Sequence, residues 1–257
     1  MPAGAAAHVT LRDNGHGLNR HDIPLFALPD GRSPAQRPWN VHRNGLHFNA
    51  MSARYAIYFV PPEDHPVYAF GQHLLGRDAH LCGPLAQPRL AGIDPARLRD
   101  ITHEPNHYGF HATLKPPFRI HDGQTPEGLH GAAAAFAEEQ KPFTVRHWKI
   151  RALDTFIAIM PVDAPKGLQM LADDCVREFD PFRAPTSQEE IAKRRAPGLT
   201  PRQEELLRAW GYPYVFEEFR LHFTLTGRIE DETERKDMLD AIRKICPPAC
   251  LKDIPVN

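Results

Sequence analysis

Two stretches of the chain share one pattern, YAIYFVPPEDHPVYAFGQHLL (residues 55–75) and FIAIMPVDAPKGLQMLADDCV (residues 156–176). Each contains an apolar run that favours a buried strand, then a turn with proline, then an amphipathic helix. About 35 to 45 residues later, each is followed by a strand with His-x-Thr-Leu and by a further helix. Four elements in the same order predict an α+β protein of two β-α-β-α halves related by a pseudo-two-fold axis.

The chain divides into an N-terminal extension and a two-lobed domain. Residues 1–50 are dense in Gly, Pro, Asn, Arg and His without a sustained period, which predicts a disordered or loosely attached segment. This extension is either a genuine tail or an upstream mis-called start, because Met51 stands directly before the first strand. Residues 51–257 form the predicted domain, with lobe 1 at about 53–142 and lobe 2 at about 143–246, between which elements could be swapped.

Local patterns predict the individual elements of the two lobes. Strands are expected at 54–61, 108–120, 143–150, 153–160 and 218–229. Helices are expected at 66–75, 126–140, 165–179, 187–195, 201–210 and 231–245. Residues 77–107 are rich in Pro and Gly and are predicted to be a connection.

The overall composition limits the classes of function. The chain has 31 basic and 32 acidic side chains in 257 residues, which disfavours attraction of the whole protein to nucleic acid or an anionic membrane. No apolar run approaches 18 residues, so neither a membrane span nor a membrane partner is expected. No signal peptide is evident, and four scattered cysteines indicate reduced thiols, so a cytoplasmic location is predicted. A monomer is expected, although no sequence pattern decides the oligomeric state.

The repeated motif is HATL (residues 111–114) in the first half and HFTL (residues 222–225) in the second. Side chains at i and i+2 of a strand share a face. His111, Thr113 and Lys115 are therefore predicted to point one way, and in the second copy the same applies to Arg220, His222, Thr224 and Thr226. The two polar faces could meet in one cleft.

Two histidines and two threonines suit the cleavage of a phosphodiester. One neutral imidazole can accept a proton from the attacking group while the other, protonated, delivers one to the leaving oxygen. Threonine hydroxyls can bind phosphate oxygens, and Lys115 or Arg220 could add positive charge. This chemistry needs neither a metal nor a cofactor, and it leaves open which histidine is the acid and which the base.

HATL and HFTL resemble the paired His-x-Thr motifs of the two-histidine (2H) phosphoesterase superfamily, over most of residues 53–246. YGFHATLKPPF (108–118) and GYPYVFEEFRLHFTLTGRI (211–229) are similar to a subgroup named for phosphonate metabolism, a domain of unknown function. The resemblance implies a bilobal fold in which two antiparallel sheets line a central groove with helices outside. It also implies metal-independent cyclic phosphodiesterase activity, with catalytic roles at His111, Thr113, His222 and Thr224.

An insert at about residues 180–218 offers further contacts to a substrate. Arginines can grip a second phosphate, and tyrosines can stack on a base or sugar. The predicted substrate-binding residues are Lys115, Arg220, Thr226, Tyr108, Arg183, Arg194 and Tyr214.

The leading hypothesis is a phosphoric diester hydrolase acting on a small cyclic phosphodiester, in phosphonate catabolism. An RNA-processing 2′,3′-cyclic phosphodiesterase or RNA ligase-like activity is an alternative, and so is a non-catalytic module that binds nucleotide or RNA. Histidines in both motifs favour an enzyme, because phosphate binding alone would be better served by permanently charged side chains.

One motif points to a metal and is set aside. His103-Glu104-Pro105-Asn106-His107 matches the H-E-x-x-H pattern of zinc proteases, which requires a helix to bring both histidines to one face. Pro105 and Gly109 disfavour a continuous helix there, so no metal site is predicted.

Overall fold

The protein is seen in a computed structural model that describes residues 54–79, 83–163 and 165–256, and the backbone of His8–Arg12. Its strands are β1 (His8–Arg12), β2 (Arg54–Phe59), β3 (Arg77–Asp78), β4 (Gly83–Pro84), β5 (Ala112–Phe118), β6 (Phe143–Val145), β7 (Trp148–Leu153), β8 (Phe156–Pro161), β9 (Phe223–Thr224) and β10 (Ile254–Val256). Its helices are α1 (Pro66–Leu75), α2 (Pro95–Tyr108), α3 (Pro126–Glu139), α4 (Lys166–Glu178), α5 (Gln188–Arg195), α6 (Pro201–Trp210) and α7 (Glu232–Ile245).

A six-stranded antiparallel sheet organises this mixed α+β fold, in the order β1-β2-β5-β9-β8-β7. β6 pairs with β10, and β3 with β4, in two small ribbons. The expectation of two antiparallel sheets lining a central groove is wrong, because β5 and β9 are hydrogen-bonded neighbours in the same sheet. The pseudo-two-fold duplication stays a prediction.

Most predicted helices are confirmed, and their ends follow local capping chemistry. α1 spans the predicted residues, with the His65 ring accepting from Val67 N at its start and Gly76 at φ 75° at its end. α6 begins with a capping box in which Thr200 and Gln203 bond each other's backbone N–H.

α2 corrects the prediction that residues 77–107 are a connection. This helix has 14 residues, and Asp94 caps it by accepting a hydrogen bond from Ala96 N at 2.8 Å. Pro95 occupies its first position, where a missing N–H costs nothing. The sequence contains the Asp94-Pro95 pair that is typical of a helix start, but Pro105 argues against a helix over the residues that follow.

The predicted strand at 218–229 is shortened to the two residues of β9. After Thr224 the chain still follows β8, but Leu225 N and Thr226 N both donate to Ile157 O, at 2.9 and 3.2 Å. The Thr226 hydroxyl accepts from Ile157 N at 3.0 Å. A side chain therefore replaces part of the regular ladder, which ends the strand early.

The main core lies on one face of the sheet and centres on Phe223, which is fully buried. Its ring stacks on Phe110 at 5.0 Å and packs against Trp148 at 5.4 Å. Phe110 in turn lies over Gly71 of α1, where an added Cβ would come within 2.2 Å of the Phe110 ring. The alternation of buried and half-buried residues along β9 thus sends Phe223 inward and its neighbours His222 and Thr224 to the opposite face.

The N-terminal extension is described only at β1, which pairs with β2 from His8↔Tyr58 to Arg12↔Arg54. The rest of residues 1–53 lies outside the described residues, and the loose attachment of this segment stays a prediction.

Two expectations from composition can be compared with the described residues. Among them, no helix has both the length and the apolar character that a bilayer crossing requires. Cys175, Cys246 and Cys250 are free thiols, and Cys82 lies outside the described residues.

Candidate functional site

The four motif side chains come together on the two central strands. Ala112 of β5 is the partner of Phe223 of β9 in an antiparallel pair. One step along the register in each direction places His111 opposite Thr224, and Thr113 opposite His222. Directly opposite residues of neighbouring strands are in side-chain contact range, so each histidine has the other motif's threonine beside it.

Both imidazoles are oriented by the same backbone bond. His111 Nδ1 lies 3.0 Å from Gly109 O, and His222 Nδ1 lies 2.7 Å from Arg220 O. Because a carbonyl oxygen only accepts hydrogen bonds, each Nδ1 must carry the hydrogen. In the neutral ring this makes Nε2 the lone-pair nitrogen, which can accept a proton from a ligand.

Each ring also packs against an aromatic side chain of the flanking strand. The Tyr58 ring of β2 lies 3.8 Å from the His111 ring, at an interplanar angle of 32°. The Phe156 ring of β8 lies 5.4 Å from the His222 ring, at 55°. The two imidazoles are therefore fixed on one side by a carbonyl and on another by a ring.

Burial changes the acid–base balance of His222. The loss of hydration lowers the pKa of this imidazole from 6.5, and the bond to Arg220 O opposes the shift only in part. His222 is therefore neutral at pH 7, which suits it to accept a proton.

A pocket of about 260 Å³ opens beside His111 and Thr224. The end of α2 supplies one wall, and the segment that follows β9 supplies another. Its lining residues are Glu104, Pro105, Tyr108, Gly109, His111, Phe156, Thr224, Thr226, Gly227 and Arg228. The volume suits one small polar group rather than a large cofactor.

The wall formed by α2 depends on Pro105. A proline inside a helix leaves the carbonyl four residues earlier without its helical partner. That carbonyl belongs to Ile101, and Gly227 N donates to it at 2.6 Å. A Cβ at position 227 would lie 3.1 Å from Ile101 O, so glycine permits the close approach.

This arrangement corrects the reason for setting aside the H-E-x-x-H motif. Residues 103–107 lie on α2 despite Pro105, and His103 and His107 are exposed one turn apart. Within the described parts of the chain, no group of three or more His, Cys, Asp or Glu side chains could hold a metal ion.

Lys115 does not lie with His111 and Thr113. Between the pairs Tyr58↔Thr113 and Ile57↔Lys115, β5 has one residue more than β2, which is a β-bulge. Lys115 is buried instead, and its Nζ donates to Val176 O at 2.8 Å and approaches Asp180 Oδ1 at 3.4 Å. Its predicted place in the cleft is therefore wrong.

Thr226 and Arg220 take different places from the one predicted for them. Thr226 lines the pocket but is fully buried, and its hydroxyl accepts a hydrogen bond from Ile157 N. This hydrogen bond stabilises the edge of the pairing with β8. Arg220 is exposed and lines a second cavity, whose lining does not include His222. Its carbonyl, rather than its guanidinium, contacts His222.

The predicted residues of the insert lie near the other end of β5. Arg183 donates to both carboxylate oxygens of Asp180, at 2.7 and 3.2 Å, and to Ala209 O. Arg194 lies over the Tyr212 ring at 4.6 Å, and Tyr214 contacts that ring edge-on. These contacts hold α5 and α6 together, and the structure does not bring Arg183, Arg194 or Tyr214 to the histidines.

Sequence reasoning missed the residues that position the motif side chains. Gly109, at φ 75°, presents the carbonyl that holds His111, and Gly227 anchors α2. Gly109 stands two residues before the first histidine, and Gly227 three residues after the second threonine. Glycines so close to both motifs were the available signal.

Comparison with known proteins gives a family for this chain. Residues 113–257, more than half of the chain, match the family described as "Protein of unknown function (DUF1045)". The chain belongs to this family. No solved structure matches it.

Two curated relatives share the name "Ribose 1,5-bisphosphate phosphokinase PhnN". The protein from Janthinobacterium sp. (strain Marseille) is 41% identical over 194 residues, which cover 74% of this chain and 42% of the relative. The protein from Laribacter hongkongensis (strain HLHK9) is 35% identical over 179 residues, which cover 69% of this chain and 41% of the relative. The chain thus spans about two-fifths of the length of these relatives.

These names correct the predicted class of enzyme. Both relatives are named as a kinase, so the assignment to the phosphoric diester hydrolases is wrong. The comparisons also give no support for membership of the two-histidine phosphoesterase superfamily, and that resemblance rests on the His-x-Thr motifs alone.

Proposed function

We propose that this chain binds a phosphorylated ribose in phosphonate metabolism, and that His111 and His222 exchange protons with the bound ligand. The observation that carries the proposal is the matched pair of imidazoles directly before β5 and β9, each held through Nδ1 by the carbonyl two residues earlier. Because both Nδ1 atoms are held in this way, the Nε2 atom of each ring is the one left to exchange a proton with a ligand.

The ligand class follows from the donors beside the rings. Thr113 and Thr224 offer hydroxyls to phosphate oxygens, and a protonated imidazole adds a charge-assisted hydrogen bond. The name of the two relatives refers to ribose 1,5-bisphosphate, a sugar with two phosphate groups, and hydroxyl and imidazole donors suit such phosphates. Their full activity is not carried over, because a Walker A loop (Gly-x4-Gly-Lys-Ser/Thr) does not occur in these 257 residues.

The two histidines are proposed to have different roles. Burial keeps His222 neutral, so it accepts a proton from a sugar hydroxyl. His111 lines the 260 Å³ pocket with Tyr58 against its ring, and it donates to a phosphate oxygen. The proposed contacts need no metal ion.

A duplicated origin would account for this match. The order β2-β5-β9-β8 places the two His-x-Thr strands at the centre and the two repeat-starting strands outside them. We propose that a pseudo-two-fold axis passes between β5 and β9 and relates the two lobes.

The experiment is isothermal titration calorimetry with ribose 5-phosphate. We expect His111→Ala and His222→Ala each to weaken binding about tenfold or more, since each removes a charge-assisted or strong hydrogen bond. His121→Ala is the matched control, because His121 is exposed and its ring contacts the carbonyl of its neighbour, Asp122 O, away from the motif strands. Equal affinity for all four proteins would overturn the proposal.

A nucleotide or RNA end is the second candidate ligand. The observation that favours it is the presence of two aromatic side chains, Tyr108 and Phe156, in the lining of the same pocket. Aromatic rings can stack on a base. Tighter binding of adenosine 5′-phosphate than of ribose 5-phosphate would select this candidate.

We also propose that the protein is a monomer and that it acts in the cytoplasm. The cytoplasm is the compartment in which phosphorylated sugars and reduced thiols coexist. Light scattering coupled to size-exclusion chromatography checks the oligomeric state.

A further inference from the structure

A second cavity lies beside Met160 and Arg220, and two arginines are among its lining residues. Its volume is about 380 Å³, and it is formed where β7 and β8 meet the start of α4. Arg151 and Arg220 line it, with Asp163 as the acidic side chain among its lining residues. Among the described residues, neither arginine is in an ion pair.

Sheet register connects this cavity to the histidines. Arg151 pairs with Ala158, and Ala158 pairs with Thr224, which lies opposite His111. These four residues therefore form one row across the sheet, on one face. Arg151 Nε lies 3.2 Å from Met160 Sδ, and one step of the β8–β9 register places Met160 opposite His222.

The cavity and the pocket beside His111 adjoin each other. Leu153 lines the first, Phe156 lines the second, and the two residues are partners at the turn between β7 and β8. Strands lie about 4.8 Å apart, so Arg151 on β7 is two strands, or about 10 Å, from β9. His111 precedes β5, one strand further away, at about 14 Å from Arg151. The carbon chain of a pentose is shorter than either separation, and the C–O–P links of its two phosphates, together with the length of the arginine side chain, make up the difference.

The start of α4 adds to the positive potential. Pro165, Leu168 and Gln169 of its first turn line the cavity, and Pro165 provides no side-chain hydrogen bond as a cap. The N-terminal end of a helix carries a partial positive charge. Two arginines and a helix start thus face the same space.

We propose that Arg151 and Arg220 form a subsite for a second phosphate, so that the preferred ligand is a pentose with two phosphate groups. This inference rests on the proposed function, since it assumes that the first phosphate binds at the histidines. Planar guanidinium groups bind phosphate with paired hydrogen bonds, which a solvent-facing lysine does not reproduce.

The test compares ribose 1,5-bisphosphate with ribose 5-phosphate by calorimetry. We expect the native protein to prefer the bisphosphate about tenfold or more, and Arg151→Met and Arg220→Met each to remove most of that preference. Both variants should bind the monophosphate within about twofold of the native protein, since its phosphate lies at the histidines. Arg151→Lys should restore the preference only in part.

Lys149→Met is the matched control. Lys149 is an exposed cation two residues before Arg151 on the same face of β7, and it does not line the cavity. We expect it to leave the preference unchanged. If Lys149→Met lowers the preference as much as Arg151→Met does, general surface charge is responsible and the subsite is overturned.

The outcomes separate the two proposals. If the monophosphate binds and depends on the histidines, but the bisphosphate binds no more tightly, the arginine subsite alone is overturned. If the bisphosphate binds and depends on the arginines while His111→Ala and His222→Ala have no effect, the role of the histidines is overturned instead. If neither sugar binds the native protein, both proposals fall.

Discussion

The two halves of β5 differ sharply, although they belong to one strand of seven residues. Thr113 in the first half faces the site, beside His222 on the neighbouring strand. Lys115, two residues later, is buried against α4, where it contacts Val176 and Asp180. Strict alternation would put Thr113 and Lys115 on the same face.

The difference shows how far alternation can be used. The period of two holds only while both strands advance one residue at a time, and the bulge after Thr113 breaks that condition. The bulge therefore separates the start of β5, which faces the site, from the rest of the strand, where Lys115 is buried against α4. Variants in the two halves should separate binding from stability.

The largest effect is expected from Lys115→Ala. The substitution leaves a cavity and removes the donor to Val176 O, so the free energy of unfolding should fall by about 2–4 kcal/mol. Affinity for ribose 5-phosphate should not change. Urea unfolding and calorimetry test this, with exposed Lys141→Ala as the control. Weaker ligand binding at unchanged stability would contradict the structural role of Lys115 and indicate that it contacts the ligand.

The charge of Lys115 should produce a pH dependence of stability. Burial lowers its pKa from 10.5 to about 8, so between these values the unfolded chain binds a proton that the folded chain does not. The free energy of unfolding should therefore rise by up to about 3 kcal/mol between pH 8 and pH 10.5.

Lys115→Met keeps the apolar stem and removes the charge. This variant should lie within about 1 kcal/mol of the native protein at pH 7, because the lost hydrogen bond to Val176 O is offset by removal of the buried charge, and Asp180 keeps its ion pair with Arg183. Urea unfolding at several pH values should show a smaller rise than in the native protein. An identical slope would assign the effect to other groups.

Gly227→Ala tests the wall of the pocket. The new Cβ would lie 3.1 Å from Ile101 O, so α2 or the segment after β9 must shift, at a cost of about 1–2 kcal/mol. Gly131→Ala on α3 is the control, since no atom beyond its own stretch of helix lies within 4 Å of the added Cβ and alanine favours the helix. Thermal unfolding should show a lower Tm for the first variant and an equal or higher Tm for the second.

The smallest expected effect is the titration of His222. Its lowered pKa means that the unfolded chain takes up a proton more readily, so this residue reduces the free energy of unfolding as the pH falls below 6.5. Ring resonances in two-dimensional NMR should show a midpoint below that of a histidine in an unfolded peptide. A midpoint above 6.5 would contradict the proposed proton acceptor.

Much of the secondary structure could be predicted because its signals are local. The starts of α1, α3 and α7 follow from Pro, Thr and Asp at or next to the N-caps. α2 was missed because Pro105 argues against a helix locally. Only Gly227 N, more than a hundred residues away in sequence, satisfies the carbonyl that this proline leaves without a partner.

The same contrast applies to the site. His111, Thr113, His222 and Thr224 could be selected from the repeat of His-x-Thr-Leu, and the register places them together. Arg151 could not, because its strand contains no repeated motif, and its position in a row with Thr224 and His111 depends on the order of four strands.

The sequence by itself determined the helices, the apolar strands and the two motifs, since capping, periodicity and residue type act over a few neighbours. The tertiary structure alone decided that β5 and β9 are adjacent in one sheet, that Lys115 turns away at a bulge, and that α2 continues through Pro105. Each of these depends on a hydrogen bond or register between distant segments. Such pairings are selected by the packing of the whole chain rather than by any local pattern.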